Sequence, residues 1–286
     1  MANLKELRSR ITSVSSTMQI TSAMKMVSAA KLNRAQDAIT KMRPYSQKLT
    51  ELLQSLSATL EGDTGSKYAE QREVNKVLIV AISSNRGLAG AFNTNIVKGV
   101  RQMAQNQYAG KEVELITLGK KAADVLKKGY TISKNNNAIY DTLDYAHVSE
   151  IAEDLMQLFL EEKYDEIVII YNQFRNAATQ VVTTEQFLPI QKFETDENVT
   201  LDYIFEPGKL EIVKDLIPKS LKMQLFKAMS DSLAAEHGAR MTAMHKATDN
   251  ATELRNALKL SYNKARQASI TNEILEIVGG AEALNN

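Results

Sequence analysis

LKELRSRITSVSSTMQITSAMKMVSAAKLNRAQDAITKM, residues 4–42, repeats small or apolar side chains at steps of three and four. The series runs Leu4, Leu7, Ile11, Val14, Met18, Thr21, Lys25, Ser28, Leu32, Ala35, Ile39 and Met42, with Lys25 its single charge. Such alternation traces the heptad seam of a left-handed coiled coil, narrower than the stripe of an ordinary surface helix. Asn3 and Glu6 stand ahead of it at capping-box spacing. Pro44 predicts a kink, because its ring removes a donor and crowds the preceding turn, yet YSQKLTELLQSLSATL resumes the helical period. One bent coiled-coil helix is therefore expected over residues 1–60.

A second series stands at the other end. Beyond Pro218 the chain has no proline, and small or apolar residues recur at 221, 225, 228, 232, 235, 239, 243, 247, 250, 254, 257, 261, 265 and 268, with Asn250 the polar exception. Many are Ala or Ser, which lets a partner backbone approach closely. The spacing predicts a C-terminal coiled-coil helix within residues 209–286. At 1.5 Å per residue a helix from about Leu216 to Ile277 is on the order of 90 Å long, against about 50 Å for a compact domain of this size. It is expected to protrude, paired antiparallel with the first helix as a rod.

Between the helices the pattern changes. EGDTGSKYAEQRE and its surroundings, residues 61–75, lack a period and read as a linker, and the acidic, turn-rich 191–208 as another. Residues 76–190 alternate short apolar β-branched runs (76–83, 112–119, 165–174) with helical stretches. That alternation predicts a Rossmann-like, mostly parallel sheet with helices on both faces, and TQVVTTEQFLPI (179–190) an added edge strand closed by Pro189. The expected fold class is α/β plus a long antiparallel coiled coil.

Composition removes several functions. The 286 residues carry no cysteine, so disulfides, thiolate metal sites and thiol catalysis are out. Formal charge is +1, which gives no global pull toward nucleic acid. No signal-peptide core and no window of about 20 apolar residues is present, so membrane insertion is not expected.

Candidate chemistry is sparse. SSNRGLAGAF (83–92) supplies only Gly87 and Gly90 where a dinucleotide site needs GxGxxG, and reads as a tight strand-to-helix turn. His147, His237 and His245 lack metal spacing, the last two standing eight apart, about 12 Å along a helix. Asp141 with Asp144, and Glu161 with Glu162, read as surface charges. No catalytic residue, cofactor or metal is expected.

The informative surface is on the rod. Around MQITSAMKMVSAAKL (18–32), Ile20, Ala23, Met24, Met26, Val27 and Ala30 fall outside the seam, so the helix is apolar on several faces and needs cover. Either a third helix of this chain or other subunits supply it. Residues 1–43 carry eight basic positions against Glu6 and Asp37, and residues 254–270 carry Arg255, Lys259, Lys264 and Arg266 without a carboxylate. In an antiparallel pair these girdles lie level, which favours an acidic partner. The last helix ends on an apolar tip of Ile274, Leu275, Ile277, Val278 and Leu284.

Three stretches carry a family resemblance over nearly the full chain: LRSRITSVSSTMQITSAMKMVSAAKL, SSNRGLAG, and GARMTAMHKATDNA with YNKARQASITNEILEIVGGAEAL. They resemble the gamma subunits of bacterial F-type ATP synthases, departing at Asn85 and Ala89, where the family commonly shows Asp and Cys. The resemblance implies a non-catalytic central rotor shaft. It would pass through a hexamer of alternating alpha and beta subunits, and join the epsilon subunit and the membrane c-ring, with a delta subunit in the same complex. The resemblance also implies that the shaft is held peripherally, on the cytoplasmic side of the bacterial cell membrane, and is not a homo-oligomer. By position, the resemblance implies rotor contacts at Met24, Lys25, Arg266, Gln267, Thr271, Glu273 and Glu276, with an apolar sleeve around Ile274, Leu275, Ile277 and Val278. The rival is a coiled-coil scaffold or tether with an α/β domain, which requires a polar rod.

Overall fold

The computed structural model describes residues 4–59, 67–140, 143–190 and 209–284. Helix α1 spans Leu4–Thr59 with Pro44 inside it, and the last helix, α5, spans Lys209–Leu284. Between them lie β1 (Lys76–Ile82), α2 (Phe92–Gln102), β2 (Glu112–Leu118), α3 (Lys120–Leu126), β3 (Thr131–Asn135), α4 (Tyr145–Leu160), β4 (Glu166–Phe174) and β5 (Gln180–Leu188). A short 3₁₀ turn, Lys67–Ala69, precedes β1, and a π turn, Met103–Gln107, ends α2. Residues 61–66 and 191–208 of the expected linkers, residues 1–3 and 60 of the expected first helix, and Asp141 lie outside the described residues, as does the side chain of Leu284.

The strands form one sheet in the order β3-β2-β1-β4-β5. β1 pairs in parallel with β2 and β4, β2 with β3, and only β5 is antiparallel. The central position of β1 explains its sequence: KVLIVAI is buried from Val77 to Ile82 because helices cover both faces. Leu78, Val80 and Ile82 meet α4 and the stretch of α5 carrying Ile217, Leu221 and Leu225. Val77, Ile79 and Ala81 meet α2 and α3 through Ile96, Val100, Ala122 and Leu126. The expected alternation and edge strand are present. β3 was not expected: in TISKN only Ile132 is partly covered, so the run has no apolar signature.

Gly119 sets the turn from β2 into α3. Its φ is 113°, and a Cβ there would stand 2.1 Å from the Ser83 carbonyl oxygen. Only glycine permits that approach, which lets the Ser83 hydroxyl accept from the Ala122 amide at 3.1 Å.

Packing divides the chain into two compact units, residues 29–240 and residues 1–28 with 241–286. The first holds the sheet with adjoining lengths of both long helices, because α5 is itself one of the sheet's covering layers. The second is a two-helix unit.

Candidate functional site

Strand order reverses between β1 and β4, and there an open α/β sheet ordinarily offers a ligand crevice beyond the strands' carboxyl ends. In this chain α5 fills it. Ala235 and Ala239 pack on Ala89, Phe92 and Phe174, and a Cβ at Gly238 would meet the Ala177 backbone at 3.2 Å. Arg240 donates from Nη2 to the Arg86 carbonyl at 3.3 Å, and from Nε and Nη2 to that of Gly87 at 3.4 Å. Its guanidinium also pairs with Glu236 at 2.7 Å, both side chains being about nine-tenths buried.

The rest of the glycine turn is consumed by the fold. Asn93 Oδ1 accepts from the Ser84 amide and hydroxyl, each at 3.0 Å. Asn85 accepts from the Lys120 amide at 3.1 Å and donates to the Asn137 carbonyl at 2.8 Å. A turn that resembles a phosphate loop in position is thus a socket for the chain's own helix.

Burial dominates the electrostatics there. It raises the Glu236 carboxyl above its ordinary 4.5, although Arg240, Lys31 and Arg86 pull the other way. Burial, then the cations Arg240 and Lys31, push His237 down to about 4. His147 and Asp144 have a capping role: Asp144 accepts the His147 amide at 2.9 Å at the start of α4. Among the described residues, no group of three or more His, Asp or Glu is arranged to hold a metal ion.

The two-helix unit carries the other candidate. Arg8 donates to the Tyr262 hydroxyl at 3.4 Å, and Thr248 to that of Thr21 at 2.8 Å. In both pairs the residue numbers sum to about 270, so the helices run antiparallel in constant register. Every seam position expected on α1 from Leu4 to Met42 is buried or half-buried.

On α5 the expected seam holds to Ala247 and then fails: Asn250, Leu254, Ala257, Ser261 and Ala268 are exposed. The observed seam is Met244, Thr248, Ala251, Arg255, Leu258, Tyr262, Ala265 and Ser269. Two successive steps of four near residue 244 shift the stripe by one residue, a stutter in the heptad. Arg255 and Tyr262 lay their stems in the seam, the Arg255 Nε buried there and the Tyr262 hydroxyl accepting from Arg8, so hydropathy alone selects the neighbouring stripe. Leu254, Leu260 and Ile270 join the exposed apolar surface, at 51%, 60% and 48%.

The apolar positions off the α1 seam are open. Ile20, Met26 and Val27 are 57–66% exposed, Ala23 and Ala30 are exposed, and Met24 and Lys25 half-buried. Among the described residues no third helix covers residues 20–27. Lys5, Arg8 and Arg10 lie level with Lys259, Lys264 and Arg266 in the observed register, as expected, whereas Lys25 stands level with about residue 245. Arg10 is satisfied by Glu6 at 2.8 Å, and Arg8 lies over the Tyr262 ring.

From Ile270 to Ala281 every residue of α5 is exposed. Ile274, Leu275, Ile277 and Val278 show 55–71% of their surface, with Arg266, Gln267, Thr271, Glu273 and Glu276 exposed beside them. In register, Leu4 pairs near residue 266, so this stretch lies past the start of α1. The structure does not bring the two sets of expected contacts together. Met24 and Lys25 sit roughly 30–50 Å along the pair from the tip, as a separate band.

These features define a class: a protein whose paired terminal helices leave apolar surface uncovered, and whose α/β unit has its ligand crevice filled from within. A family model described as ATP synthase matches residues 3–284. The ATP synthase gamma chain of Christiangramia forsetii is 76% identical over 285 residues, and that of Flavobacterium johnsoniae 66% over 286, each covering 100% of both chains. The chain belongs to the gamma-chain family of ATP synthases. Among solved structures, a chain of the Euglena gracilis mitochondrial ATP synthase (OSCP/F1/c-ring, rotational state 3) aligns with a TM-score of 0.73 at 23% identity, over 98% of this chain and 94% of that one. A chain of the rotor of the same enzyme in rotational state 1 aligns at 0.69, also at 23% identity, over 93% and 98%. At that identity the likeness speaks to the fold.

Proposed function

We propose that the chain is the central rotor shaft of an F-type ATP synthase. It couples proton-driven rotation of a membrane c-ring to conformational cycling of catalytic beta subunits, and is itself non-catalytic. The observation that carries this reading, beside family membership, is the exposed apolar end of α5, which calls for a sleeve from outside the chain. A hexamer of alpha and beta subunits supplies that sleeve, with acidic beta surface against the level basic girdles. An asymmetric shaft touching one beta subunit differently from the others biases their conformational populations unequally. Epsilon, delta and the membrane c-ring complete the assembly, and the shaft itself is held peripherally on the cytoplasmic side of the cell membrane. No described helix is long and apolar enough to cross a membrane. A tether would need a polar helix pair, and Ile20, Met26, Val27 and Leu260 oppose it.

The test is reconstitution. The chain alone is expected to bind no ATP and to be poorly soluble, and co-expression with alpha and beta subunits to yield ATPase activity. Tight stoichiometric nucleotide binding by the lone chain, or a hexamer whose activity is indifferent to the chain, refutes the reading.

A further inference from the structure

One side of the sheet in the α/β unit carries a concentrated cationic face. α2 and α3 cover the same side, over Val77, Ile79 and Ala81, so their outer surfaces look the same way. On that surface Lys98, Arg101, Lys120, Lys127 and Lys128 are exposed and Lys121 is half-exposed, against Asp124 as the sole carboxylate of the two helices. Among the described residues, the one ion pair these cations make is Lys127 with Asp124, at 3.9 Å. On the opposite side the charges are mixed: Glu150, Glu153 and Asp154 of α4 are exposed, but Glu153 pairs with Lys222 and Asp154 with Lys134. A chain whose formal charge is only +1 has gathered these cations, nearly unaccompanied by acid, on one face. Clustered lysines repel one another, so this arrangement works against folding and asks for an anion from elsewhere.

We propose that the α2–α3 face binds an anionic lipid surface. Lysines predominate, and their compact, hydrated charges suit a diffuse layer of headgroups, whereas planar two-point recognition of one fixed carboxylate favours arginine. No exposed aromatic side chain of α2 or α3 is available to stack on a base, which disfavours nucleic acid. Val125 stands among the lysines, 42% exposed, an apolar contact for the headgroup boundary. The attraction adds lysine by lysine and acts within about a Debye length of the surface. The inference rests on the shaft reading in one respect. A fluid lipid sheet is the same at every rotor angle, so it draws the unit toward the membrane without a preferred angle, whereas an acidic patch on a stator protein would create an angular well.

The experiment is flotation of the chain, reconstituted with alpha and beta subunits, on vesicles of phosphatidylcholine with and without about a third phosphatidylglycerol. Binding is expected only with the anionic lipid and is lost in high salt. Replacing Lys120, Lys121, Lys127 and Lys128 by Gln is expected to weaken it tenfold or more, while arginine at the same four positions restores it. A control at exposed cations away from this face, Lys163→Gln with Lys219→Gln, is expected to leave it unchanged. Equal binding to neutral vesicles, or undiminished binding by the Gln variant, overturns the proposal. So does a Gln variant that loses association with alpha and beta subunits while keeping the vesicles, since the face then serves an acidic protein. A wild-type assembly that floats on anionic vesicles but lacks ATPase activity refutes the shaft and upholds the lipid face.

Discussion

Thr21 and Thr248 meet across the antiparallel helices, hydroxyl to hydroxyl at 2.8 Å. Thr21 also donates to the Met18 carbonyl, and the Met244 carbonyl lies 2.8 Å from the Thr248 hydroxyl as the other acceptor for its one proton, so the pair joins two helical ladders at one point. A polar contact inside a seam of small and apolar side chains fixes register, because sliding either helix leaves a hydroxyl without its partner.

The consequence is measurable as a coupling. Thr21→Val and Thr248→Val are each expected to cost about 1 kcal/mol, and the double substitution less than their sum, since removing both hydroxyls strands neither. Urea titrations of the four chains check it. Additive losses would show that the hydroxyls do not interact.

Gly119→Ala is expected to be among the most damaging small substitutions in the α/β unit. The new methyl would lie 2.1 Å from the Ser83 carbonyl, backbone against backbone, at a φ that alanine avoids. A loss of more than about 3 kcal/mol follows from strain and from displacing the Ser83–Ala122 bond. Gly129→Ala, where nothing lies within 4 Å, is expected to be mild, and thermal melting of the two variants separates them. Equal melting temperatures would refute the steric account.

How far the sequence discloses this molecule depends on what each element presents to its neighbour. The α1 seam is legible because its positions are nearly all small or apolar, and the central strands because burial on both faces makes them continuous apolar runs. β3 is opaque for the converse reason: an exposed edge leaves Ser133 and Lys134 no cause to be apolar. The seam of α5 beyond Ala247 is misread because Arg255 and Tyr262 occupy it while Leu254 and Leu260 face outward. The closing of the crevice is out of reach, since Arg240 finds the Arg86 and Gly87 carbonyls across more than 150 positions of chain. The apolar tip, by contrast, is evident from Ile274–Val278 and remains as bare as their pattern implies.

Arg240→Met is expected to destabilise the α/β unit by about 3–5 kcal/mol, because it leaves the Glu236 carboxylate buried without its partner. Glu236→Leu with Arg240→Met is expected to cost much less than Arg240→Met alone, since no buried charge remains. Urea unfolding of the single and double variants measures this. A double variant as unstable as the single one would show that the bonds to the glycine turn, rather than the ion pair, carry the stabilisation.

His237 and Glu236 give opposite pH dependences, and variants separate them. The His237 pKa is pushed down from 6.5 to about 4, so the folded chain binds fewer protons than the unfolded one between those values. Its contribution is fully present above pH 6.5 and is lost as pH falls through about 4. Glu236 has a raised folded pKa, so its contribution is fully present below 4.5 and is lost as pH rises through the folded value. His237→Gln is expected to flatten the acid-side fall, and Glu236→Gln the fall on raising pH. Stability curves for either variant that run parallel to wild type would refute the corresponding assignment.

The two sides of α5 predict different failures for the same chemical change. Leu258→Asn strikes the seam and is expected to destabilise the helix pair by about 2 kcal/mol, through lost burial and a polar group placed inside. Leu275→Asn with Ile277→Asn strikes side chains already 63% and 71% exposed, so the chain's own stability is expected to stay within about 0.5 kcal/mol. Its association with alpha and beta subunits is expected to weaken, because each apolar side chain buried in a sleeve contributes about 1.5–3 kcal/mol. Melting of the free chain and yield of assembled ATPase are the two readouts. If the tip variant melts early and assembles normally, the tip is packed within the chain and no sleeve is needed. If it melts normally and assembles normally, the apolar end has no partner in the complex, and the shaft reading loses its central support.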